Sequence, residues 1–223
     1  MSHIQEEIHR IKAELPEHVR LVAVSKYHPV EALQQAYDAG QRIFGESKVQ
    51  EMTMKHDILP KDIEWHFIGH LQTNKIKYMA PYVALIHGVD SYKLLAEIDK
   101  QARKAGRTIP CLLQIHIAQE ETKFGFSMDE CRTMLDEGTW RTLTHVQIAG
   151  VMGMATNTDD MAQVEQEFKT LSDFFEEVKE THFKDIPYYK EISMGMSDDY
   201  PLAIRHGSTL IRIGSRIFGQ RIY

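Results

Sequence analysis

Two hydrophobic periods alternate along this chain. Short apolar runs, at 20–26, 42–45 and 64–69, are each followed by a stretch in which apolar residues recur every three or four positions. The first pattern is typical of buried strands and the second of amphipathic helices. The same alternation predicts further strands at 83–89, 109–117, 145–152, 189–195 and 209–214, with helices between them and one helix before the first strand.

Local signals mark several helix ends. The first helix has an apolar face that includes Ile4 and Ile11, and Pro16 ends it. Ser127 begins a sequence that fits a capping box, with a glutamate three residues later. Ser197 is predicted to cap the short helix after the seventh strand.

Eight apolar strands that alternate with helices predict a parallel sheet covered by helices. This number of units favours an α/β fold with a single (β/α)8 TIM-type barrel, in which 1–223 form one domain. The additional N-terminal helix is expected to fill the gap in the outer ring after the eighth strand. The rival is an open doubly wound sheet, which usually carries a GxGxxG turn after its first strand. Here that turn, 25–29, contains no glycine.

Charge and composition exclude several classes of protein. The chain has 26 basic and 32 acidic residues and a net charge of −6, whereas a dedicated nucleic-acid binder is normally basic. No apolar run approaches the ~18 residues that span a bilayer, and the N-terminus has no signal-peptide core. Two cysteines cannot build a disulfide framework. We expect a cytoplasmic monomer that binds neither nucleic acid nor membrane.

The active site of a barrel lies at the carboxyl ends of its strands, and Lys26 stands at the end of the first one. It shares strand parity with Val22 and Val24, so it is expected to point to the same side as they do. A partly desolvated lysine there has a lowered pKa and is a nucleophile for carbonyl groups. The alternative is a lysine in a solvated turn.

Small residues follow the last two strands. Ser193 and Gly195 end the seventh strand, and Gly214 and Ser215 end the eighth. Barrel enzymes often hold a phosphate between these two loops, where backbone N–H groups and serine hydroxyls donate to it. The alternative is that the glycines only serve tight turns. An amine facing a phosphate cradle suggests a sugar-phosphate aldolase or a protein that binds pyridoxal 5′-phosphate (PLP).

Arg212 bears on that choice because a guanidinium is a permanent donor. Beside a pyridine nitrogen it keeps that nitrogen unprotonated, which suits mild or restricted PLP chemistry. The alternative is an arginine paired with an acid at the rim. No metal site is expected, because His66 and His70 lie on a strand and its exit without a set of cysteine or acidic ligands. Cys111 opens an apolar strand and is predicted to lie in the core.

The sequence resembles the alanine-racemase-like pyridoxal phosphate homeostasis proteins, the YggS/PROSC type. The matching segments run in family order across nearly the whole chain: AVSKYHP (23–29), FGESKVQE (44–51), WHFIGHLQTNK (65–75), IHGVDS (86–91), ISMGMSDDYPLAIRHGSTLIRIGS (192–215) and IFG (217–219). The resemblance implies one barrel like the N-terminal domain of alanine racemase, without the second, β-rich domain.

The resemblance also implies roles for single residues. Lys26 matches the lysine that holds PLP as an aldimine, and Arg212 matches the arginine near the pyridine nitrogen. Ser193, Gly214 and Ser215 match phosphate-binding positions. The function implied is reversible PLP binding in intracellular vitamin B6 homeostasis, with apo PLP-dependent enzymes as possible recipients.

At other matched positions the sequence agrees with the family in part and departs from it in part. Asn74 and Lys75 match family-typical residues after the third strand, and Asn74 is a candidate cofactor ligand. Ser47 stands where the family usually has asparagine, and it is a further candidate. The stretch that ends in His116 replaces a Val-Asn pair of the family. Both departures are expected near the cofactor.

The alternative function is a PLP-dependent enzyme such as an amino-acid racemase. Racemisation needs a base on each face of the substrate, and Lys26 supplies one. In alanine racemases the other is a tyrosine from the second domain of a partner chain, and Tyr27 is expected to point away from Lys26. We therefore expect a carrier without efficient turnover.

Overall fold

A computed structural model describes residues 1–220 of the chain. Residues 221–223, the end of the predicted domain range, lie outside the described residues. The described strands are β1 Arg20–Val24, β2 Ile43–Glu46, β3 Glu64–Phe67, β4 Leu85–Val89, β5 Ile109–Gln114, β6 Val146–Met152, β7 Glu191–Ser193 and β8 Leu210–Ile213.

Helices separate these strands. They are α1 His3–Glu14, α2 Val30–Asp38, α3 Val49–Ile58, α4 Ile76–Met79, α5 Tyr92–Lys104, α6 Met128–Glu137, α7 Met161–His182, α8 Tyr200–Arg205 and α9 Ser215–Phe218. Short 3-10 turns precede α4, at Thr73–Lys75, and β6, at Thr139–Thr142.

The eight strands form a closed barrel in the order β1 to β8, and all neighbouring strands are parallel. The predicted (β/α)8 barrel is confirmed, and the open doubly wound sheet is wrong. The extra helix α1 packs against α2 and α9, so it occupies the predicted gap in the ring.

Apolar side chains form two separate clusters, as the alternation of strand residues requires. The larger cluster lies between the sheet and the helices, and it includes Cys111, which is fully buried as predicted. The smaller cluster fills the barrel interior and consists of Val22, Ile43, Leu85, Leu112, Ala149, Met152 and Leu210. The interior is therefore apolar below the mouth, and polar residues within it stand out.

Local signals were partly right. The Ser127 capping box is present, with reciprocal hydrogen bonds between Ser127 and Glu130. The predicted cap at Ser197 is wrong, because α8 begins after Asp199. The Asp199 carboxylate accepts the Met196 N–H at 2.6 Å, which closes a turn at Ser197 and delays the helix.

Candidate functional site

Adjacent strands β1 and β8 bring the two most specific candidates to one sector of the barrel mouth. Val22 and Arg212 are partners in the parallel register, and Lys26 comes two residues after the end of β1. Gly214 stands beside the end of β1, where a Cβ on it would lie 3.0 Å from the Val24 carbonyl oxygen. A side chain at 214 would therefore crowd the ends of the two strands.

Lys26 lies in a turn of four residues. The His28 N–H donates to the Ser25 carbonyl at 3.1 Å, so Lys26 and Tyr27 are the central residues. Tyr27 has a φ of 67°, the only positive φ of a non-glycine residue within 1–220. This is the place at which a type II turn prefers glycine. Lys26 itself is half-buried.

Arg212 is buried in the barrel at 4% exposure. It donates through Nη1 to the Ser193 hydroxyl at 2.5 Å and through Nη2 to the Gly153 carbonyl at 3.2 Å. Burial lowers the pKa of Arg212 to about 10, and the more distant Asp199 carboxylate opposes this effect. The side chain therefore stays cationic at neutral pH. Among residues 1–220 no carboxylate forms an ion pair with it, so the alternative of a rim ion pair is not supported.

Two histidines continue this polar contact through the apolar interior. His87 Nδ1 lies 2.8 Å from Ser193 Oγ, and His87 Nε2 lies 2.9 Å from His66 Nδ1. We call the row Arg212–Ser193–His87–His66 the interior chain. Burial lowers the pKa of His66 to about 3 and that of His87 well below its ordinary value. Both imidazoles are therefore neutral at physiological pH.

The chemistry of the donor gives the first contact of the interior chain its direction. Arginine only donates, so Ser193 Oγ accepts from it. Within the described residues the Ser193 hydroxyl has one other partner, His87 Nδ1. If the hydroxyl donates its proton to that nitrogen, His87 carries its own proton on Nε2 and donates to His66 Nδ1. In either arrangement Ser193 holds the Arg212 guanidinium in place.

Sequence reasoning missed this role of the histidines. It considered His66 only as a metal ligand, and it assigned Ser193 to the phosphate, in part through backbone N–H groups, which stays a prediction. Here that hydroxyl is fully buried and bonded inside the barrel. The available signal was parity: Trp65 and Phe67 point to the helices, so His66 between them points inward.

The loops after β7 and β8 meet at the rim. Gly195 has a φ of 95°, and a Cβ on it would lie 2.7 Å from that of Ala203. Ser215 Oγ lies 3.3 Å from Ser197 Oγ, which connects the two loops. The N–H groups of Ile217 and Phe218 donate to the Gly214 carbonyl. The N–H groups at the start of α9 have no partner within the helix, as at any helix start.

The remaining candidates lie in another sector. Ser47 follows β2 and is half-buried, and its carbonyl oxygen would lie 2.6 Å from a Cβ on Gly69. Asn74 is exposed on the 3-10 turn before α4. His116 is half-buried, and its Nε2 has no hydrogen-bond partner among the described residues. Roles for these residues at the cofactor remain predictions.

Residues 1–220 contain neither a cluster of metal ligands nor a membrane-spanning helix. No group of three or more histidine, cysteine, aspartate or glutamate side chains could hold a metal ion. No helix has the length and apolar composition needed to cross a membrane.

Known proteins share this sequence and this fold. Residues 1–222 match the family described as "Alanine racemase, N-terminal domain". A pyridoxal phosphate homeostasis protein of Pasteurella multocida (strain Pm70) is 38% identical over 232 residues, covering 100% of this chain and 97% of that protein. One of Helicobacter pylori (strain ATCC 700392 / 26695) is 39% identical over 204 residues, covering 91% and 88%.

A solved structure extends the comparison. PipY of Synechococcus elongatus PCC7942 is 36% identical, with 97% of this chain and 100% of that chain covered. The TM-score is 0.90 for the PipY structure without PLP and 0.86 for the structure with PLP bound. By sequence identity, coverage and fold, the chain belongs to the family of the pyridoxal phosphate homeostasis proteins.

Proposed function

We propose that the chain acts as one domain that binds PLP reversibly at the mouth of the barrel, with Lys26 as the covalent attachment point, and that it serves PLP homeostasis. The observation that carries the proposal is the convergence of Lys26 and Arg212 on the adjacent strands β1 and β8, with Val22 and Arg212 in register. The PLP-bound structure of PipY, a relative at 36% identity, supports it.

The residues at the mouth fit this cofactor. When bound, PLP supplies an aldehyde that reacts with amines and a pyridine ring that withdraws electrons. Lys26 is half-buried, so the residue is partly desolvated yet accessible. Gly214 lets the end of β8 lie close to Val24 at the end of β1. The loop that follows β8 has backbone N–H groups and the Ser215 hydroxyl, which are groups that donate to a phosphate.

Each group has a separate task in the proposal. Arg212, held by the interior chain, would donate a hydrogen bond to the ring nitrogen and would not give up its proton. Ser215 and the backbone at Gly214 would bind the phosphate, and Ser193 would act through Arg212. Ser47 and Asn74 would contact the cofactor from the side of β2 and β3.

Reversible binding without efficient turnover fits the surroundings of Lys26. Racemisation needs a second base opposite the lysine. The neighbouring tyrosine does not suit that task, because the Tyr27 ring lies 4.9 Å from Lys48 Nζ and is 37% exposed. We propose that the protein holds PLP and passes it on to apo PLP-dependent enzymes.

Borohydride reduction tests the attachment point. The purified protein is incubated with PLP, reduced and digested, and the labelled peptide is identified by mass spectrometry. We expect the label on Lys26, loss of visible absorbance in Lys26→Ala, and normal labelling of the control Lys48→Ala. A label on a different lysine in the wild-type protein contradicts the proposal.

Two further measurements test carrier against enzyme. We expect the loaded protein to reactivate an apo PLP-dependent enzyme while its own visible absorbance falls, and a failure to reactivate rejects delivery. Incubation with L-alanine in deuterated water should leave the α-hydrogen in place. Rapid α-deuteration with loss of chirality would favour a racemase.

A further inference from the structure

The turn that carries Lys26 adopts a conformation that its own residues do not favour. Tyr27 has a φ of 67° although it is not a glycine, and this left-handed conformation is strained for a residue with a side chain. Within the turn the His28 N–H donates to the Ser25 carbonyl at 3.1 Å. Contacts from neighbouring elements also hold the turn in place and offset this strain.

Those contacts come from β2 and α3 and reach both peptide groups that flank Lys26. On one side, Lys55 Nζ donates to the Ser25 carbonyl at 2.8 Å. On the other side, Glu51 Oε1 accepts the Tyr27 N–H at 2.7 Å. The peptide planes before and after Lys26 set the direction of its Cα–Cβ bond. Lys55 and Glu51 therefore fix where the Lys26 side chain starts.

Lys55 also binds two carboxylates, those of Glu46 and Glu51. Lys55 Nζ donates to Glu46 Oε1 and to Glu51 Oε1, each at 2.7 Å, and the Ser25 hydroxyl donates to Glu46 Oε1 at 2.6 Å. We call Glu46, Glu51 and Lys55 the buried ion cluster. Side-chain exposure is 1% for Lys55 and 0% for Glu46. One cation therefore links three acceptors around the Lys26 turn.

Stability alone does not account for such a cluster. Removing charges from water is unfavourable, so apolar residues of similar size often stabilise a fold equally well. The cost is visible at Glu46: burial raises the pKa of its carboxyl to about 7, and its Oε2 has no partner among residues 1–220. What the cluster provides is direction, because each of its bonds ends on a particular backbone or side-chain atom of the turn.

We propose that Glu46, Glu51 and Lys55 are positioning residues that orient Lys26 for covalent attachment of the cofactor. They lie on the helix side of β1 and β2, opposite the barrel interior, so they act through the backbone of the turn. The inference deepens the proposed function and rests on it. It predicts that loss of the cluster impairs the covalent step and leaves recognition of the phosphate and ring intact.

Two ligands separate these steps. PLP carries the aldehyde, whereas pyridoxine 5′-phosphate has an alcohol in its place and cannot bond to a lysine. For Lys55→Met we expect the apparent affinity for PLP and the rate of covalent attachment to fall about 10- to 100-fold, the cost of a misplaced reacting group. The affinity for pyridoxine 5′-phosphate should change less than about 3-fold.

Matched control variants separate an effect on the position of Lys26 from a general loss of structure. Glu51→Gln retains an oxygen that accepts the Tyr27 N–H, so it should recover most of the attachment rate that Glu51→Ala loses. Lys169→Met breaks an exposed ion pair on α7 and should match the wild-type protein in both ligands. Thermal unfolding shows whether each variant is folded. If Lys55→Met does not fold, the comparison of Glu51→Gln with Glu51→Ala decides.

A readout without cofactor completes the experiment. Reductive methylation of the apo-protein with formaldehyde, followed by mass spectrometry, gives the reactivity of Lys26 relative to Lys48. We expect this ratio to change in Glu51→Ala and not in Glu51→Gln. Equal attachment rates and equal ratios in all cluster variants would overturn the inference. A wild-type protein that attaches PLP elsewhere would instead reject the proposed function.

Discussion

Acid should destabilise this barrel through the interior chain, and His66→Gln should reduce that effect. His66 is 2% exposed, and burial lowers its pKa from 6.5 to about 3. As pH falls below 6.5 the unfolded chain binds a proton at residue 66 and the folded chain does not. The contribution of His66 to the free energy of unfolding is therefore complete above pH 6.5 and is lost progressively as pH falls toward 3.

The magnitude follows from the same two pKa values. Each pH unit in this window costs 1.36 kcal/mol, so at pH 5 His66 lowers the free energy of unfolding by about 2 kcal/mol relative to pH 8. Glutamine at 66 does not titrate there, and its amide oxygen can accept from His87 Nε2. We expect a constant loss of about 1 kcal/mol from imperfect geometry, and a difference from wild type that reverses sign by pH 5.

Urea unfolding followed by circular dichroism measures the free energy of unfolding at pH 8, 7, 6 and 5. With a slope of about 3 kcal/mol/M, the His66 contribution of about 2 kcal/mol shifts the urea midpoint by about 0.7 M between pH 8 and pH 5, and His66→Gln lacks this contribution. The control is His18→Gln, which changes an exposed histidine. Parallel stability curves for the wild-type protein and His66→Gln would refute the reasoning.

Three more predictions concern the loops and the barrel wall. Ser215→Ala should weaken the binding of PLP by roughly 1–3 kcal/mol, or about 5- to 150-fold, and leave the affinity for pyridoxal unchanged in absorbance titrations. Equal losses of affinity for the two ligands would contradict the assignment of Ser215 to the phosphate. Gly214→Ala places a Cβ 3.0 Å from the Val24 carbonyl oxygen and should lower the free energy of urea unfolding by about 1–3 kcal/mol; an unchanged midpoint is the adverse result. Gly150→Ala places a Cβ 1.8 Å from the Glu191 carbonyl oxygen at a φ of 151°. We therefore expect the free energy of unfolding to fall by more than about 4 kcal/mol and the variant to be insoluble on expression. A soluble variant with a wild-type melting temperature would be inconsistent with this prediction.

The sequence predicts the positions of all eight strands better than their ends. Apolar runs report burial, and burial extends past the last paired residue. The run 109–117 is apolar almost throughout, yet β5 ends at Gln114. There the Phe126 N–H donates to the Gln114 carbonyl, and the His116 N–H donates back to the Phe126 carbonyl. The loop folds over the strand end, which no local pattern signals.

The residues of the candidate site also differ in how well the local sequence predicts them. Lys26 and Arg212 are predictable because strand parity and position at the barrel mouth are local properties. The partner of His87 is Ser193, which lies 106 residues further along the chain, so only the closed barrel brings them together. Lys55 follows Glu51 by four residues on α3, a spacing typical of an exposed helix pair. Its burial depends on how α3 packs against the first two strands.

Closure of the barrel between β1 and β8 has a consequence for synthesis of the protein. The first strand carries Lys26 and the last carries Arg212, so the proposed binding site is incomplete in a growing chain on the ribosome until β8 has emerged and paired. Arg216 on α9 then donates to Glu7 on α1 at 3.0 Å and joins the two ends of the ring. Such contacts between distant residues form late and slowly. The cofactor therefore distinguishes finished chains from nascent ones, and its binding would favour the last step of folding.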